Sequence, residues 1–273
     1  MNSAKPFLKW AGGKRQLQSE LAARIPPEAL ARLERGNATY HEPFMGGAAL
    51  FFALQPKLAR LSDMNDALVC AYLGVQQEVE ETIATLADLP YDRDTFLQLR
   101  EVGQPDDSFA LAAAWFIYMN RCCFNGIWRV NRAGKFNVPF GRYTNPTICD
   151  AENLRACSAA LRNAVIAHDR FESVLDRAAV GDVVYFDPPY VPVSDSANFT
   201  AYTVDGFTAR DQARLADVAL ELTHRGVHVL LSNSDAPQVH KLYRGWKIDR
   251  VSARRNVNSK KDKRGPVQEV IIT

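Results

Sequence analysis

Residues 183–190 read Val183-Val184-Tyr185-Phe186-Asp187-Pro188-Pro189-Tyr190. Four apolar, strand-forming residues run directly into an acid, two prolines and an aromatic. A short continuous apolar run, rather than an alternating one, fits a strand buried on both faces of an α/β sheet. Pro188 and Pro189 cannot continue a central strand, so the strand has to stop at Asp187. That sets a carboxylate at the carboxyl end of a strand, where ligands of open α/β sheets bind. The prolines fix φ and hold their neighbours extended, so the Asp187 carboxylate, the Pro188 carbonyl and the Tyr190 ring form a nearly rigid cluster.

Such a cluster suits a planar amino-purine, which needs an aromatic face to stack on and acceptors for its two amino hydrogens. Asp187 and the Pro188 carbonyl are acceptors, and Tyr190 is the face. Drawing both amino hydrogens into hydrogen bonds frees the nitrogen lone pair from the ring and makes it a nucleophile. The plain alternative is a strand end capped by a Pro-Pro turn. Tyr190 directly after the prolines favours the chemical reading.

Toward the amino terminus, Phe7-Leu8-Lys9-Trp10-Ala11-Gly12-Gly13-Lys14 precedes an amphipathic helix expected to run to about Arg24. Paired glycines before a helix let a ligand approach backbone N–H groups, and Lys14 adds a charge suited to a carboxylate. The likeness to a phosphate-binding loop is faint, since the leading glycine and the Ser/Thr after the lysine are missing. Next, Ala38-Thr39-Tyr40-His41-Glu42-Pro43-Phe44-Met45-Gly46-Gly47 and an apolar run to Leu54 read as strand, glycine turn and helix, the opening unit of a nucleotide-binding fold. Asp63 follows Glu42 by about 20 residues, at the end of an expected second strand, the spacing of an acid that accepts ribose hydroxyls. An Asx turn or helix cap at Asp63 is the plainer reading.

From Leu68 to about Tyr118 the pattern is helical, which interrupts the α/β alternation and marks an inserted domain. It leads into Asn120 to Asn131 and Gly134 to Tyr143, a mixture of Arg, Asn, Gly and aromatics. That mixture suits a hairpin or loop that reads DNA: Arg pairs with guanine, Asn with adenine, and aromatics wedge between bases. A merely solvated basic loop would not carry so many apolar residues. The α/β pattern resumes after Asn153 with Val165 to Phe171, then the Asp187 stretch, a glycine-containing loop through Asn198 to Phe207, and a buried strand from Val227 to Ser234. His168 reads as structural. A basic run, Arg254 to Arg264, is suited to phosphate contact, and a closing strand spans Val267 to Ile272.

Composition sets the frame around these motifs. The 273 residues suffice for one large domain or a domain with a substantial insertion, and 47% hydrophobic with 23% charged residues describes an ordinary soluble protein. A net charge of only +2 means that any nucleic-acid surface is a local patch. Five cysteines without Cys-x-x-Cys spacing favour a reducing compartment over a disulfide framework or zinc site. No signal-peptide core or transmembrane span is read, so the expectation is a cytosolic protein.

Taken together, Trp10-Ala-Gly-Gly-Lys14, Asp187-Pro-Pro-Tyr190 and the Asn120–Tyr143 segment resemble the Dam-type (D12 class, alpha group) DNA adenine-N6 methyltransferases, in the family's order and over nearly the whole chain. The resemblance implies a Rossmann-like α/β sheet dependent on S-adenosyl-L-methionine, carried by residues 1–67 and 149–273, with a mainly helical target-recognition domain inserted at 68–148. It implies methyl transfer to N6 of a flipped adenine in double-stranded DNA, within GATC, by a monomer without metal. Catalysis would fall to Asp187, Pro188 and Tyr190. Cofactor binding would fall to Trp10, Ala11, Gly12, Lys14, Glu42, Pro43, Phe44, Asp63, Asp169, Phe171 and Asp187, with Asp169 receiving the cofactor's adenine amino group. DNA would be met by Lys9, Phe124, Asn125, Ile127, Arg129, Asn131, Pro139, Arg142 and Tyr143: Arg129 on the outer guanine, Phe124 as the wedge. Phe124 departs from the tyrosine frequent in the family, which keeps stacking and loses a hydroxyl contact. Rival readings are an enzyme acting on cytosine N4 or RNA, where Ser often precedes the proline pair, and a DNA-binding protein that has lost catalysis. A cytosine-C5-type nucleophile at Cys122 or Cys123 fits poorly, because neither follows a strand end of the cofactor-binding half.

Overall fold

The computed structural model describes residues 4–10, 12, 14–192, 206–254 and 266–273, and every structural statement concerns these. Seven strands form one sheet in the order β3-β2-β1-β4-β5-β7-β6. They are β1 (Tyr40–Glu42), β2 (Ala59–Asp63), β3 (Ala164–His168), β4 (Val183–Phe186), β5 (His228–Ser234), β6 (Ile248–Arg254) and β7 (Pro266–Ile272). The first five pair in parallel, while β7 inserts antiparallel between β5 and β6. Chain connections leave β1 toward β2 on one side and β4 toward β5 on the other, so strand order reverses between β1 and β4. Crevices at such reversals, outside the carboxyl ends of the strands, are where ligands of open α/β sheets bind.

A continuous apolar run explains why β4 is buried on both faces. Val183 and Tyr185 join the core on one side of the sheet; Val184 and Phe186 join the core on the other. The same division holds for Leu230 against Val229 and Leu231 on β5, and for Ile271 against Val270 and Ile272 on β7. Tyr185, Leu230 and Ile271 therefore share a face, and a one-residue slip of any strand would exchange its two sets.

The expected helical block is four helices: α4 (Asp66–Gln77), α5 (Val79–Ala87), α6 (Arg93–Val102) and α7 (Phe109–Cys122). Asn65, Asp92 and Ser108 cap α4, α6 and α7 by accepting a backbone N–H three residues on. From Ala110 to Cys122 nearly every residue of α7 is buried, as expected of a helix apolar all round. Between β2 and β3, α4 packs against both of those strands and against α7. It thereby joins the helical block to the sheet through one continuous core. The block leads through α8 (Ala151–Leu161) to β3.

One expectation is corrected here. The helix expected after Lys14 is a 3-10 turn at Lys14–Gln16 followed by a short α1 (Gln18–Ala22). Strand β6 has no counterpart in the sequence reading; it is an edge strand whose Asp249, Arg250 and Ser252 break any apolar run. The loop at Asn198–Tyr202 and the basic run beyond Arg254 lie outside the described residues, as does Ala11.

Candidate active site

Asp187 stands one residue beyond β4, and its Oδ1 is fully engaged. Lys14 Nζ lies 2.9 Å away, and Ser232 Oγ on β5 donates at 2.8 Å. Since the serine's hydrogen is committed to Asp187, the 2.9 Å bond between Tyr185 and Ser232 has the tyrosine as donor. The result is a chain from Tyr185 through Ser232 to Asp187 Oδ1. Among the described residues nothing bonds Asp187 Oδ2, and nothing donates to the Pro188 carbonyl. These are the two acceptors that the sequence assigned to an amine.

The loop that carries them is clamped from β5 and from α9 (Ala209–His224). Gln212 Nε2 donates to the Pro189 carbonyl at 2.7 Å, and Asn233 Nδ2 donates to Gln212 Oε1 at 3.2 Å. Asn233 Oδ1 accepts from Val191 N at 3.0 Å, and Ser234 Oγ donates to the Val191 carbonyl at 2.6 Å. Tyr190, half-buried, donates to Glu269 Oε2 on β7 at 2.9 Å, and Lys14 Nζ sits 4.7 Å from the centre of its ring. Burial, reinforced by the charges of Asp187 and Glu269, pushes the Tyr190 hydroxyl well above the ordinary tyrosine range. Ser232, Asn233, Gln212 and Glu269 were not singled out in the sequence. Small polar residues ending an apolar strand were the one visible hint.

Beside Asp187, the carboxyl ends of β1 and β2 carry the expected acids. Glu42 is buried and accepts from Tyr40 Oη at 2.9 Å. Burial pushes its carboxyl up to about 8, against the pull of the Tyr40 hydroxyl. Asp63 accepts from Gly46 N at 3.0 Å and from Asn65 N at 2.9 Å, so it tethers the glycine turn to β2 and forms a local Asx-type bond. Burial raises its carboxyl while those N–H groups lower it. Trp10 lies so close to the glycine turn that a Cβ on Gly46 would come within 2.6 Å of Trp10 Nε1, and the φ of +45° there also favours glycine. Asp169, just past β3, is 3.9 Å from Arg60 Nη2. Phe44 stacks on Phe171 at 5.5 Å, and Phe207 meets the two edge-on. Pro43 is buried beside them and Gly12 exposed. Lys14 also donates to the Gly12 carbonyl at 2.5 Å.

The segment from Asn120 to Tyr143 begins in the last turn of α7 and continues as an irregular hairpin closed by antiparallel bridges Cys123–Phe140 and Val130–Phe136. Most of its aromatics are anchors. Trp128 stacks on Phe116 of α7 at 4.1 Å and meets Phe136 at 5.0 Å, while Phe140 packs on Tyr91 and on Phe96 of α6. Phe124 is the exception, 50% exposed. Asn125, Arg129, Asn131, Pro139 and Arg142 are exposed with it, and Ile127 is half-buried. Arg129 is held by Asn137, through Nε to Oδ1 at 2.7 Å and Nη2 to the carbonyl at 3.3 Å. Asn131 Oδ1 accepts from Ala133 N and Lys135 N and so shapes the hairpin tip. Tyr143 donates to the Cys123 carbonyl at 2.9 Å, and Lys9 Nζ lies 4.3 Å from its ring centre. A Cβ on Gly126 would strike the Lys9 stem. Buried Asn120 bonds both the N–H and the carbonyl of Lys9, each at 2.8 Å, which binds the amino-terminal motif to the hairpin. Cys122 and Cys123 are buried, which pushes both thiols up to about 12 and leaves them protonated rather than nucleophilic. His168 bonds the Met64 carbonyl at 3.1 Å, a structural setting. Among the described residues no group of His, Cys, Asp and Glu could hold a metal ion, and no helix is long and apolar enough to cross a membrane.

A strand-order reversal flanked by acids, with free acceptors at the next strand end, is the kind of crevice in which open α/β sheets bind their ligands. Residues 10–257 match the family described as D12 class N6 adenine-specific DNA methyltransferase. The type II methyltransferase M1.LlaDCHI of Lactococcus lactis subsp. cremoris is 40% identical, covering 98% of this chain and 95% of that protein. M.MjaIII of Methanocaldococcus jannaschii is 41% identical, covering 95% of each. The DNA adenine methylase of Escherichia coli K12 is 34% identical, covering 99% of this chain and 95% of that protein. The chain belongs to the D12 class family and is a DNA adenine-N6 methyltransferase.

Proposed function

We propose that the chain, acting as a monomer on double-stranded DNA, uses S-adenosyl-L-methionine to methylate the adenine of GATC. The observation that carries the catalytic part is the pair of acceptors at Asp187 Oδ2 and the Pro188 carbonyl beside the Tyr190 ring. An adenine inside the duplex cannot reach them, so the base is flipped from the stack. Oδ2 and the carbonyl accept the two N6 hydrogens, Tyr190 stacks on the purine, and the nitrogen lone pair is turned out of conjugation. As nitrogen gains its new bond to carbon it sheds a proton, and Asp187 Oδ2 is the acceptor in place. Alignment and these fixed dipoles supply the rate enhancement.

The donor set beside Asp187 fits the proposed cofactor. Asp63 and Asp169 are acceptors suited to ribose hydroxyls and an adenine amino group, the Phe44–Phe171–Phe207 cluster is an apolar wall for a purine, and Lys14 is a cation for a carboxylate. Trp10, Gly12, Glu42 and Pro43 complete that side. When bound, the cofactor would supply the methyl group from a sulfonium, its carbon–sulfur bond breaking as the nitrogen–carbon bond forms and leaving a neutral thioether.

For sequence recognition we assign the 68–148 block. Its exposed residues support this: Phe124 as wedge, Arg129 on the outer guanine, and Asn125, Asn131, Pro139 and Arg142 toward the DNA, with the half-buried Ile127, Lys9 and Tyr143 beside them. The test is to incubate unmodified plasmid DNA with the protein and S-adenosyl-L-methionine, then map modified bases by sequencing. N6-methyladenine confined to GATC is expected. Modification in another sequence overturns the specificity, and cytosine N4 modification overturns the role given to the pocket.

A further inference from the structure

Strand β7 carries Val270, Ile271 and Ile272 into the two cores, yet Glu269 beside them is 9% exposed. The register sets Glu269 opposite Ser234 and Ile271 opposite Ser232, so Glu269 lies on the same face of the sheet as Ser232 and Tyr185. No cation among the described residues pairs with it; its described partner is the Tyr190 hydroxyl, at 2.9 Å. A buried carboxylate is expensive, and an apolar side chain of similar volume there would leave the sheet as stable or more so. Tyr190 could equally be a phenylalanine if only an aromatic face were wanted. The acid and the hydroxyl explain one another: a charge-assisted bond is short and directional, and it fixes the hydroxyl end of a ring whose face meets Lys14 Nζ.

We propose that Glu269 is a positioning residue for methyl transfer, holding the Tyr190 ring at the angle at which the flipped adenine stacks. This rests on the reading of Tyr190 as the stacking face. It extends the machinery from β4 to the antiparallel strand: Ser232 on β5 fixes Asp187, and Glu269 on β7 fixes Tyr190.

The experiment compares Glu269→Leu, Glu269→Gln, Tyr190→Phe, Tyr190→Ala and the double variant Glu269→Leu/Tyr190→Phe. For each, single-turnover methylation, DNA affinity and Tm are measured on a duplex carrying the wild-type target site. Glu269→Leu is expected to slow the chemical step by about 10-fold or more. Its DNA Kd should stay within roughly 3-fold of wild type, and its Tm should be no lower. Glu269→Gln keeps an acceptor for the hydroxyl and should recover most of the rate. On the Tyr190→Phe background Glu269→Leu should change the rate by less than about 3-fold, because the bond it acts through is already gone. Wild-type rates in Glu269→Leu, or equal slowing on both backgrounds, overturn the proposal. Tyr190→Phe tests the same bond without altering the acid should Glu269→Leu fail to fold; a wild-type rate there also overturns it. A wild-type rate in Tyr190→Ala would instead overturn the reading of the site beneath it.

Discussion

Lys14 and Asp187 are far apart in the chain and form a 2.9 Å ion pair in which the lysine is only 6% exposed. The ammonium takes Asp187 Oδ1 together with Ser232, and Oδ2 is left without a hydrogen bond among the described residues. A free carboxylate can rotate its oxygens; this one is pinned by two donors. Pre-organisation of that kind is what makes a fixed acceptor effective when charge develops.

Asp187→Ala is therefore expected to reduce single-turnover methylation by about 100-fold or more with an unchanged far-UV spectrum, and to lower Tm, because it leaves the buried Lys14 ammonium unpaired. A purified variant that keeps the wild-type rate would remove Asp187 from catalysis.

Ser232→Ala leaves the Asp187 charge and the Lys14 pair in place and removes one anchor. One lost charge-assisted bond is worth about 1.5 kcal/mol, so a fall of roughly 10-fold in the chemical step is expected, with DNA affinity unchanged. Loss of DNA affinity without loss of rate would show that the serine serves the interface rather than the carboxylate.

Asp63→Ala should weaken S-adenosyl-L-methionine binding by ~1–3 kcal/mol, read by titration calorimetry. Because Asp63 also tethers Gly46 and Asn65, Asp63→Asn is the informative partner. It keeps an acceptor for one of those two N–H groups and removes the charge, and its affinity should still fall. Unchanged affinity in both would leave Asp63 a turn residue only.

Arg129→Ala tests specificity. A bidentate contact to guanine is worth ~1–3 kcal/mol of discrimination, so selectivity at the outer base pair should relax by about 10- to 100-fold. The measurement compares methylation of GATC with that of sites altered only at the outer guanine. Equal loss on both would make Arg129 a positioning residue. Asn137, which now holds the guanidinium by two bonds, must yield one of them or help aim it.

Glu42 gives a pH dependence with a definite sign. Its carboxyl is raised to about 8 in the folded protein, so the folded state keeps a proton that the unfolded chain releases in the ordinary glutamate range. Stability from this group is complete below that range and is lost as pH rises through about 8. Between pH 5 and 8.5 wild type should lose roughly 5–10 °C of Tm relative to Glu42→Gln. Parallel curves for the two proteins would show that Glu42 is ionised in the fold.

The strands bearing the site were legible because their residues obey local rules: an apolar run stopped by Pro188, a glycine turn after Glu42, an acid about 20 residues further on. The proposed catalytic set, Asp187, Pro188 and Tyr190, came from one stretch of chain for the same reason. Other features depend on register and on packing between distant elements. Nothing local says that Ser232 and Glu269 fall on the Tyr185 face, since that depends on how β5 and β7 align across the sheet. Nor does composition say that Trp128 and Phe136 point into the core while Phe124 points out, because the same aromatic residue serves either purpose until the hairpin closes on α7. Local chemistry determined which groups the chain offers for methyl transfer, and tertiary structure decided which of their atoms are held and which are left free to act.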